Sequence, residues 1–352
     1  MTVRRRSLRA ALPLIALLAV TLPVAADSTL TRPVDNAGPV FGITTGPGEV
    51  VLADAGQGIV RLRHLKTELV AALPGATDVD VIDPNHMIAT TGGGATPTSA
   101  KLWRITKGKV SLWADLGAFE ATVNPDGREI NPNPFDVQAL PGGSALVADA
   151  GANALLIVTP DGTIDWIVTL PDQLVSTANI KSLVGCPASG APPCALPPMI
   201  PAQPVTPSVA VGPDGYYYIG ELKGFPAPTG YSRVWRINPA ARHVACSADP
   251  AVTPDCTVVA DGFTSIIDIA FDRQGTMYVT ELDEASWFAV DVTHTPIGGT
   301  VNACTLNGGT WECDALELGL PQPTGVATDP TGRVYVSRFS LAPGAAQVLT
   351  IK

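Results

Sequence analysis

The 352-residue chain carries 22 Lys and Arg residues against 32 Asp and Glu residues, a net charge of −10, and 46% of its residues are hydrophobic while 15% are charged. A disordered polyelectrolyte has far fewer apolar residues, and a nucleic-acid-binding protein normally shows a basic stripe that this acidic chain lacks. Its 34 glycines and 33 prolines would interrupt the helices of a bundle, so we expect a turn-rich, mostly β protein.

The N-terminus has the pattern of a secretory signal peptide. Residues 1–9 are basic, residues 10–20 are apolar, and Val24-Ala25-Ala26 supplies small residues before Asp27. The apolar stretch is too short to span a bilayer as a stable helix, and no later stretch reaches the length that a membrane span requires. We therefore predict cleavage of residues 1–26 and export of residues 27–352 to the periplasm or the medium, with no membrane contact afterwards.

Six similar segments follow one another along the rest of the chain. Each contains a short alternating strand, a turn such as Pro213-Asp214-Gly215, a second strand, a polar link and a third apolar strand; residues 165–168 and 257–260 read as fourth strands. The six segments are residues 39–62, 78–106, 133–165, 207–237, 266–291 and 323–351.

One four-stranded meander cannot bury both of its faces, whereas six arranged radially cover one another. The repeats therefore predict an all-β, six-bladed β-propeller in a single domain of residues 27–352. The regular repeat disfavours a β-sandwich. Because the last segment ends after its third strand, we expect residues 30–34 to supply the fourth strand and close the ring. The proline-rich stretch 185–207 is predicted to be an insertion between blades.

The six cysteines support export. They allow 15 pairings, but separations of eight, ten and nine residues favour bridges between near neighbours. A zinc site is disfavoured because the chain has no CxxC pair and its four histidines are scattered. The predicted disulfides are Cys186–Cys194, Cys246–Cys256 and Cys304–Cys313.

The repeat unit resembles NHL-type propeller repeats, and nearly the whole chain is similar to the ScyD/ScyE family of exported propellers. The segments that carry this resemblance are residues 133–137 (NPFDV), 147–156 (VADAGANALL), 205–215 (VTPSVAVGPDG), 218–226 (YIGELKGFP) and 263–271 (FTSIIDIAF). The resemblance implies a secreted or periplasmic six-bladed propeller and assigns no reaction. The second and sixth repeats depart from the pattern, since Thr91 and Arg338 stand near the expected acidic position.

Acidic residues recur at equivalent places in the repeats. One set ends the second strands: Asp54, Asp149, Glu221 and Glu281. A second set lies in the first strands: Asp80, Asp136, Ser208, Asp268 and Thr324. Converging carboxylates either bind a hard cation such as Ca²⁺ or hold protons, whereas single turn acids often accept backbone N–H bonds. The candidate metal ligands are Asp136, Glu221, Asp268 and Glu281.

The loop that contains Lys223 and Phe225 pairs a cation with an aromatic side chain between two strands. It is a candidate ligand contact, or alternatively a proline-held turn whose Phe225 packs on the blade. The full set of candidate ligand-binding residues is Asp136, Asp149, Ser208, Glu221, Lys223, Phe225, Asp268 and Glu281.

Motifs of established enzyme classes are missing from the sequence: it has no HExxH, no GxSxG and no nucleotide-binding glycine loop. The favoured hypothesis is a non-catalytic, monomeric propeller that binds a small molecule, glycan or protein at one end of its channel, and not nucleic acid. The alternatives are a Ca²⁺-dependent hydrolase similar to gluconolactonase propellers, and a scaffold for another enzyme.

Overall fold

The computed structural model describes residues 30–249 and 251–352, so the predicted signal peptide lies outside the described residues. The described chain is nearly all β and forms six sheets of four strands, one of which gains a short fifth strand, and this arrangement confirms the predicted six-bladed propeller. Within these residues, no helix has both the length and the apolar character needed to cross a membrane.

The described chain begins with strand β1 (Leu30–Pro33). Blade 1 contains β2 (Val40–Gly46), β3 (Glu49–Asp54), β4 (Gly58–Arg63) and β5 (Lys66–Ala72). Blade 2 contains β6 (Ala76–Asp83), β7 (His86–Thr91), β8 (Lys101–Thr106) and β9 (Lys109–Asp115). After helix α1 (Leu116–Val123), blade 3 contains β10 (Pro134–Ala139), β11 (Ala145–Asp149), β12 (Ala154–Val158) and β13 (Ile164–Thr169).

An insertion separates blades 3 and 4. It contains β14 (Gln173–Ser176), α2 (Ala178–Leu183), a short 3-10 helix (Pro192–Ala195) and β15 (Met199–Ala202). Strands β14 and β15 pair as an antiparallel hairpin outside the blades. The insertion is therefore longer than the predicted range 185–207, which forms its second half, because it begins directly after β13.

Blade 4 contains β16 (Ser208–Val211), β17 (Tyr217–Gly220), β18 (Ser232–Ile237) and β20 (Cys256–Phe263), while β19 (Val244–Ala245) pairs with β13 of blade 3. Blade 5 contains β21 (Ile266–Phe271), β22 (Met277–Glu281), helix α3 (Trp287–Asp291), β23 (Gly299–Asn307) and β24 (Thr310–Leu320). Blade 6 contains β25 (Val326–Thr328), β26 (Val334–Arg338), β27 (Gln347–Thr350) and β1.

The ring is closed by the N-terminal strand, as predicted. Strand β1 pairs antiparallel with β27, with Thr31 opposite Leu349 and Pro33 opposite Gln347. The first strands of the six blades contact one another in cyclic order, β2–β6–β10–β16–β21–β25–β2, and so surround the axis. The two ends of the described chain therefore meet in one blade.

Six apolar cores fill the six spaces between neighbouring blades. The alternation of strand side chains explains how each blade serves two of them. In β3, Val50 and Leu52 pack toward blade 6, whereas Val51 and Ala53 pack toward blade 2. The second strands are consequently buried on both faces, which is why they appear in the sequence as continuous apolar runs.

All three predicted disulfides are confirmed. Their Cα–Cα distances are 5.4 Å for Cys186–Cys194, 5.7 Å for Cys246–Cys256 and 3.9 Å for Cys304–Cys313. The first lies in the insertion between blades 3 and 4, the second joins the segment around β19 to β20, and the third joins directly paired residues of β23 and β24. Disulfides form and persist in oxidising compartments, so these bridges fit a protein outside the cytoplasm.

Candidate functional site

An aspartate follows a bulge in the first strand of three blades. The pairing of β6, β10 and β21 with their second strands shifts just before Asp78, Asp136 and Asp268. The sequence analysis predicted that Asp80 is the equivalent residue of blade 2. That prediction was wrong, because the strand register places Asp78 directly after the bulge. Both Asp78-Val79 and Asp80-Val81 fit the repeat pattern, and only the bulge decides between them.

Each of these three carboxylates joins its blade to the next one. Asp78 Oδ2 accepts a 3.0 Å hydrogen bond from the backbone N–H of Val137 in blade 3. Asp268 Oδ2 accepts one of 2.7 Å from Val326 in blade 6. The innermost strand of a blade has no further strand beside it, so its N–H groups need other acceptors, and the aspartates supply them.

The other blades carry small residues at the same place. Ser208 is fully buried in blade 4, Gly42 lies within the bulge of β2, and Gly325 precedes β25. A Cβ at Gly42 would lie 1.8 Å from Asp78 Oδ1, so only glycine admits the Asp78 carboxyl there. The predicted ring member Thr324 is one residue away, and its hydroxyl donates to the Val40 carbonyl of blade 1.

The three aspartates and Asp80 line an axial cavity of about 200 Å³, together with Gln138. Asp80 Oδ2 accepts from the Gln138 side chain and the Ala139 N–H, both at 2.8 Å. No lysine, arginine or histidine is among the described residues that line this cavity. It is therefore a polar, acidic chamber without a cationic side chain of its own.

Burial raises the pKa of the axial carboxyl groups. The pKa of Asp78 and that of Asp268 lie well above the ordinary aspartate value, chiefly because burial disfavours the charged form and also because Asp136 repels a second charge. Burial also raises the pKa of Asp136 to about 6, against hydrogen bonds that favour its ionised form. The cluster therefore retains protons at pH values where surface aspartates are ionised.

One end of the axis is closed by apolar side chains. The rings of Phe41 in blade 1 and Phe135 in blade 3 lie 5.3 Å apart, although blade 2 separates their strands. Side chains of non-neighbouring blades can meet in this way only near the axis. Phe135 also packs against a buried cluster that includes Ile267, Leu282 and Val290. We call this end, where the chain enters the first strands, the insertion end.

Insertions form a cap at this end. Ile180 of α2, Ala227 of the loop after β17 and Phe288 of α3 pack into a small core of their own. The Asn179 amide donates to the Ala227 carbonyl at 2.7 Å, and the Trp287 indole N–H donates to the Lys223 carbonyl at 2.8 Å. Three insertions from different blades are thus joined into one layer.

The opposite end, which we call the turn end, opens into a mouth of about 1060 Å³. Turns between first and second strands of five blades line it, and Tyr335 of β26 and Arg32 of β1 extend it over blade 6. Val211, Phe271 and Thr328 line both this mouth and the axial cavity, so the two spaces adjoin. The mouth was not predicted, because residues from five separated turns and two strands build it.

Two of the acids that end the second strands, Asp54 and Asp149, cap turns at the insertion end. Asp149 Oδ1 accepts from the backbone N–H groups of Asn133, Gly151 and Ala152 at 2.7, 3.1 and 3.0 Å. Burial raises the pKa of Asp149 to about 6. Asp54 makes equivalent bonds to backbone N–H groups of residues 37, 38 and 56. For these two residues the structure agrees with the turn-capping alternative.

Glu221 lies in a buried ionic network. Both of its oxygens accept from the Arg233 guanidinium at 2.9 Å, and Oε1 also accepts from the Trp235 indole at 2.9 Å. Lys223 Nζ lies 2.7 Å from Glu221 Oε2, and both side chains are fully buried. Burial, together with repulsion from Arg233, lowers the pKa of Lys223 to about 8, against the opposing attraction of Glu221.

The predicted Lys223–Phe225 pair is therefore divided: Lys223 is inside the cap, whereas Phe225 is 48% exposed on its surface. Glu281 is also occupied, because it accepts from the Thr264 N–H and, at 2.6 Å, from the Asn302 side chain. Burial raises the pKa of Glu281 to about 7.

The four candidate metal ligands are not brought together. Asp136 and Asp268 line the axial cavity, whereas the oxygens of Glu221 and Glu281 bind side chains and backbone within their own blades and loops. Across residues 30–249 and 251–352, no group of three or more Asp, Glu, His or Cys side chains is arranged to hold one metal ion. The residues present therefore do not fit a calcium centre of the predicted composition.

Solved structures with a similar fold include a protein of unknown function from Bacteroides thetaiotaomicron, with 10% identity, a TM-score of 0.55, and coverage of 90% of this chain and 70% of that one. A gluconolactonase from Xanthomonas campestris has 12% identity, a TM-score of 0.52, and coverage of 90% and 88%. A calcium-binding regucalcin from Agrobacterium tumefaciens has 14% identity, a TM-score of 0.51, and coverage of 93% and 92%.

At these identities the likeness shows the fold alone. No protein-family profile and no curated protein matches the sequence. The resemblance to the ScyD/ScyE family consequently stays a prediction.

Proposed function

We propose that this protein is an exported, non-catalytic propeller that binds a small molecule in the mouth at the turn end of its channel. The observation that carries the proposal is the asymmetry of the axis. Apolar rings and a cap close the insertion end, whereas the other end opens into a cavity of about 1060 Å³. Concave spaces of this size are where small ligands bury most of their surface.

Three features of the mouth support a small ligand over a protein partner. It is a recess between turns, it carries aromatic and apolar surface from Phe271 and Tyr335, and charged side chains lie around that surface. Protein interfaces instead require a broad area of about 800 Å² per partner. The rigid turns, several of which contain proline, suit a preformed site.

The alternative of a Ca²⁺-dependent hydrolase requires an ion held by three or four oxygen ligands that polarises a carbonyl group and activates water. The hydrogen bonds of Glu221 and Glu281 disfavour it, since these carboxylates would have to leave their partners to bind an ion.

The test is a thermal-shift and calorimetric screen of purified residues 27–352 against sugars, sugar acids, sugar phosphates, amino acids and nucleosides. Two variants, Thr45→Trp and Thr328→Trp, each fill the mouth from a different blade; Phe225→Ser changes an exposed residue at the closed end. We expect at least one compound to raise Tm, and we expect both Trp variants but not Phe225→Ser to abolish the shift.

A shift that survives in folded Trp variants would overturn the proposed site, and a screen without any shift would overturn the proposed function. Hydrolysis of glucono-δ-lactone that requires Ca²⁺ and stops with EDTA would establish the enzymatic alternative in its place.

A further inference from the structure

The mouth at the turn end contains three arginines that come from separate elements. Arg32 belongs to β1, Arg273 to the turn after β21, and Arg333 precedes β26. Within the described part of the chain, no carboxylate oxygen lies within 4.0 Å of any of the three guanidinium groups. Arg273 and Arg333 are exposed and Arg32 is half-buried, so all three arginines are accessible to a ligand in this recess.

The acidic side chains of the mouth are already occupied. Glu49 is buried and pairs with Arg63 at 2.5 Å and with Arg61 at 3.8 Å, both of which lie on the neighbouring strand β4. Asp83 pairs with His86 at 2.7 Å and caps its own turn. These carboxylates therefore do not neutralise the three arginines.

The two remaining acids of the mouth cap turns. Asp272 accepts from the Thr276 N–H and from the Tyr278 hydroxyl, both at 2.9 Å, and Lys352 lies 3.7 Å away. Asp329 accepts from the Tyr335 hydroxyl at 3.0 Å and from N–H groups of its turn. Hydrogen bonds thus hold these carboxylates in place. Among the described residues the three guanidinium groups make one hydrogen bond, from Arg273 Nη1 to the Pro330 carbonyl at 3.5 Å, so most of their donors remain for another acceptor.

Arg32 lies against the aromatic surface of the mouth. Among the described residues its buried Nε has no hydrogen-bond partner, and its guanidinium carbon lies 5.8 Å from the centre of the Tyr335 ring. The Arg32 guanidinium thus lies beside the Tyr335 ring, and a guanidinium group binds carboxylate and phosphate oxygens in a planar, two-pronged geometry.

Building on the proposed function, we infer that the ligand of this mouth is an organic anion of about monosaccharide to disaccharide size, held through a carboxylate or phosphate group by Arg32, Arg273 and Arg333. The apolar surfaces of Phe271 and Val211 face the body of such a ligand at the throat of the channel. Because the protein has a net charge of −10, the rest of its surface should not attract anions, and anion binding should be confined to the mouth.

Four probes with the same ring test this inference on residues 27–352: glucose, glucosamine, glucuronate and glucose 6-phosphate. Binding is measured by calorimetry and thermal shift at low and moderate salt. We expect glucuronate or glucose 6-phosphate to bind and glucose and glucosamine to bind at least tenfold more weakly. The comparison of glucuronate with glucose 6-phosphate distinguishes a carboxylate from a phosphate ligand.

The variants are Arg32→Gln, Arg273→Gln, Arg333→Gln and the triple substitution. The matched control is Arg242→Gln, because Arg242 lies outside the mouth and its guanidinium donates to the backbone carbonyls of residues 239 and 241. We expect the triple variant to weaken anion binding at least a hundredfold, the single variants by smaller factors, and the control to leave it unchanged.

Two outcomes would overturn the inference without removing the proposed function: glucose or glucosamine binding as tightly as the anions and being blocked by Thr328→Trp, or anion binding that persists in the folded triple variant. Failure of all four probes would be a third such outcome, since a positive result elsewhere in the broader screen would keep the mouth as a binding site.

Discussion

The carboxylate of Asp136 in blade 3 accepts a 2.6 Å hydrogen bond from the backbone N–H of Val209 in blade 4. Asp78 and Asp268 make the same connection from blades 2 and 5. Asp136 and Asp268 were candidate ligands in the sequence, whereas Asp78 was not; all three connect neighbouring blades, where they satisfy N–H groups of the innermost strands. The same geometry buries the carboxyl groups and raises their pKa.

The axial carboxyl groups should lower the free energy of unfolding as the pH rises, which is the opposite of the usual effect of an ion-paired aspartate. A carboxyl whose pKa is higher in the folded than in the unfolded chain binds more protons when folded, so its contribution to stability falls as pH rises above the unfolded value of about 4. Asp268→Asn removes the titration and keeps an acceptor for the Val326 N–H. We expect the variant to exceed the native protein in unfolding free energy by roughly 1–3 kcal/mol at pH 8, and by much less at pH 4.5.

Urea denaturation at the two pH values measures this difference. Asp161→Asn is the control of opposite sign, because hydrogen bonds in an exposed turn lower the pKa of Asp161. A native protein more stable than Asp268→Asn at pH 8 would contradict the raised pKa.

Ring closure by β1 predicts that its removal weakens the whole propeller. Val34, which follows β1, is 2% exposed within the core between blades 6 and 1. We expect Val34→Ala to cost about 1–3 kcal/mol through lost burial and the cavity left behind. A chain that begins at Ala37 should lose far more, measured as Tm against a chain that begins at Asp27. Thr31→Ala, at an exposed position, is the control and should leave Tm nearly unchanged.

The disulfide between Cys304 and Cys313 should contribute more to global stability than the one between Cys186 and Cys194. Cys304 is fully buried in the core between blades 4 and 5, whereas the other bridge lies in an insertion outside the blades. Loop closure alone predicts about 2–3 kcal/mol for either bridge in the unfolded chain. Denaturation of the two double Cys→Ala variants compares them, and equal losses would show that packing of Cys304 adds nothing.

The two cations that face Glu221 should not be equivalent. Arg233→Met leaves a buried carboxylate without its two-pronged partner, and we expect a loss of about 3–5 kcal/mol. Lys223→Met removes a cation whose burial is unfavourable, so the change should be small or stabilising. Since the pKa of Lys223 is lowered to about 8, the native chain should gain stability relative to Lys223→Met as pH rises from 8 toward 10.

Thermal denaturation of both variants between pH 7 and pH 10 provides the measurement. If Lys223→Met proved as damaging as Arg233→Met at every pH, the lysine would have to be a full partner in the ion pair.

Export predicts a mature N-terminus at Asp27. Intact-mass measurement of the protein recovered from the periplasm or medium should match residues 27–352 with three disulfides, and the mass should rise by six hydrogens after reduction. A chain retained in the cytoplasm with its first 26 residues would contradict the predicted signal peptide.

The confirmed predictions concern features that short stretches of sequence encode. Alternating strands such as β11, turns such as 213–215, and the spacing of Cys304 and Cys313 are each encoded within about ten residues, and their sixfold recurrence gave the blade number. The closing role of residues 30–34 also followed, because the last repeat lacks its fourth strand. Contacts between distant segments could not be predicted as well from the sequence. Asp78 and Asp80 both fit the repeat pattern, and only the bulge in β6 shows which of them is equivalent to Asp136 and Asp268.

The amino-acid sequence by itself determined the number of blades, the ring closure and the disulfide pairing, since each depends on short segments that pair with near neighbours or on a missing repeat. Only the tertiary structure decided which end of the axis is open and which charges remain without partners. Arg32 and Arg333 are about 300 residues apart, and Phe41 meets Phe135 across an entire blade. These long-range contacts arise because the blades are arranged in a ring around the axis, and no short stretch of sequence encodes them.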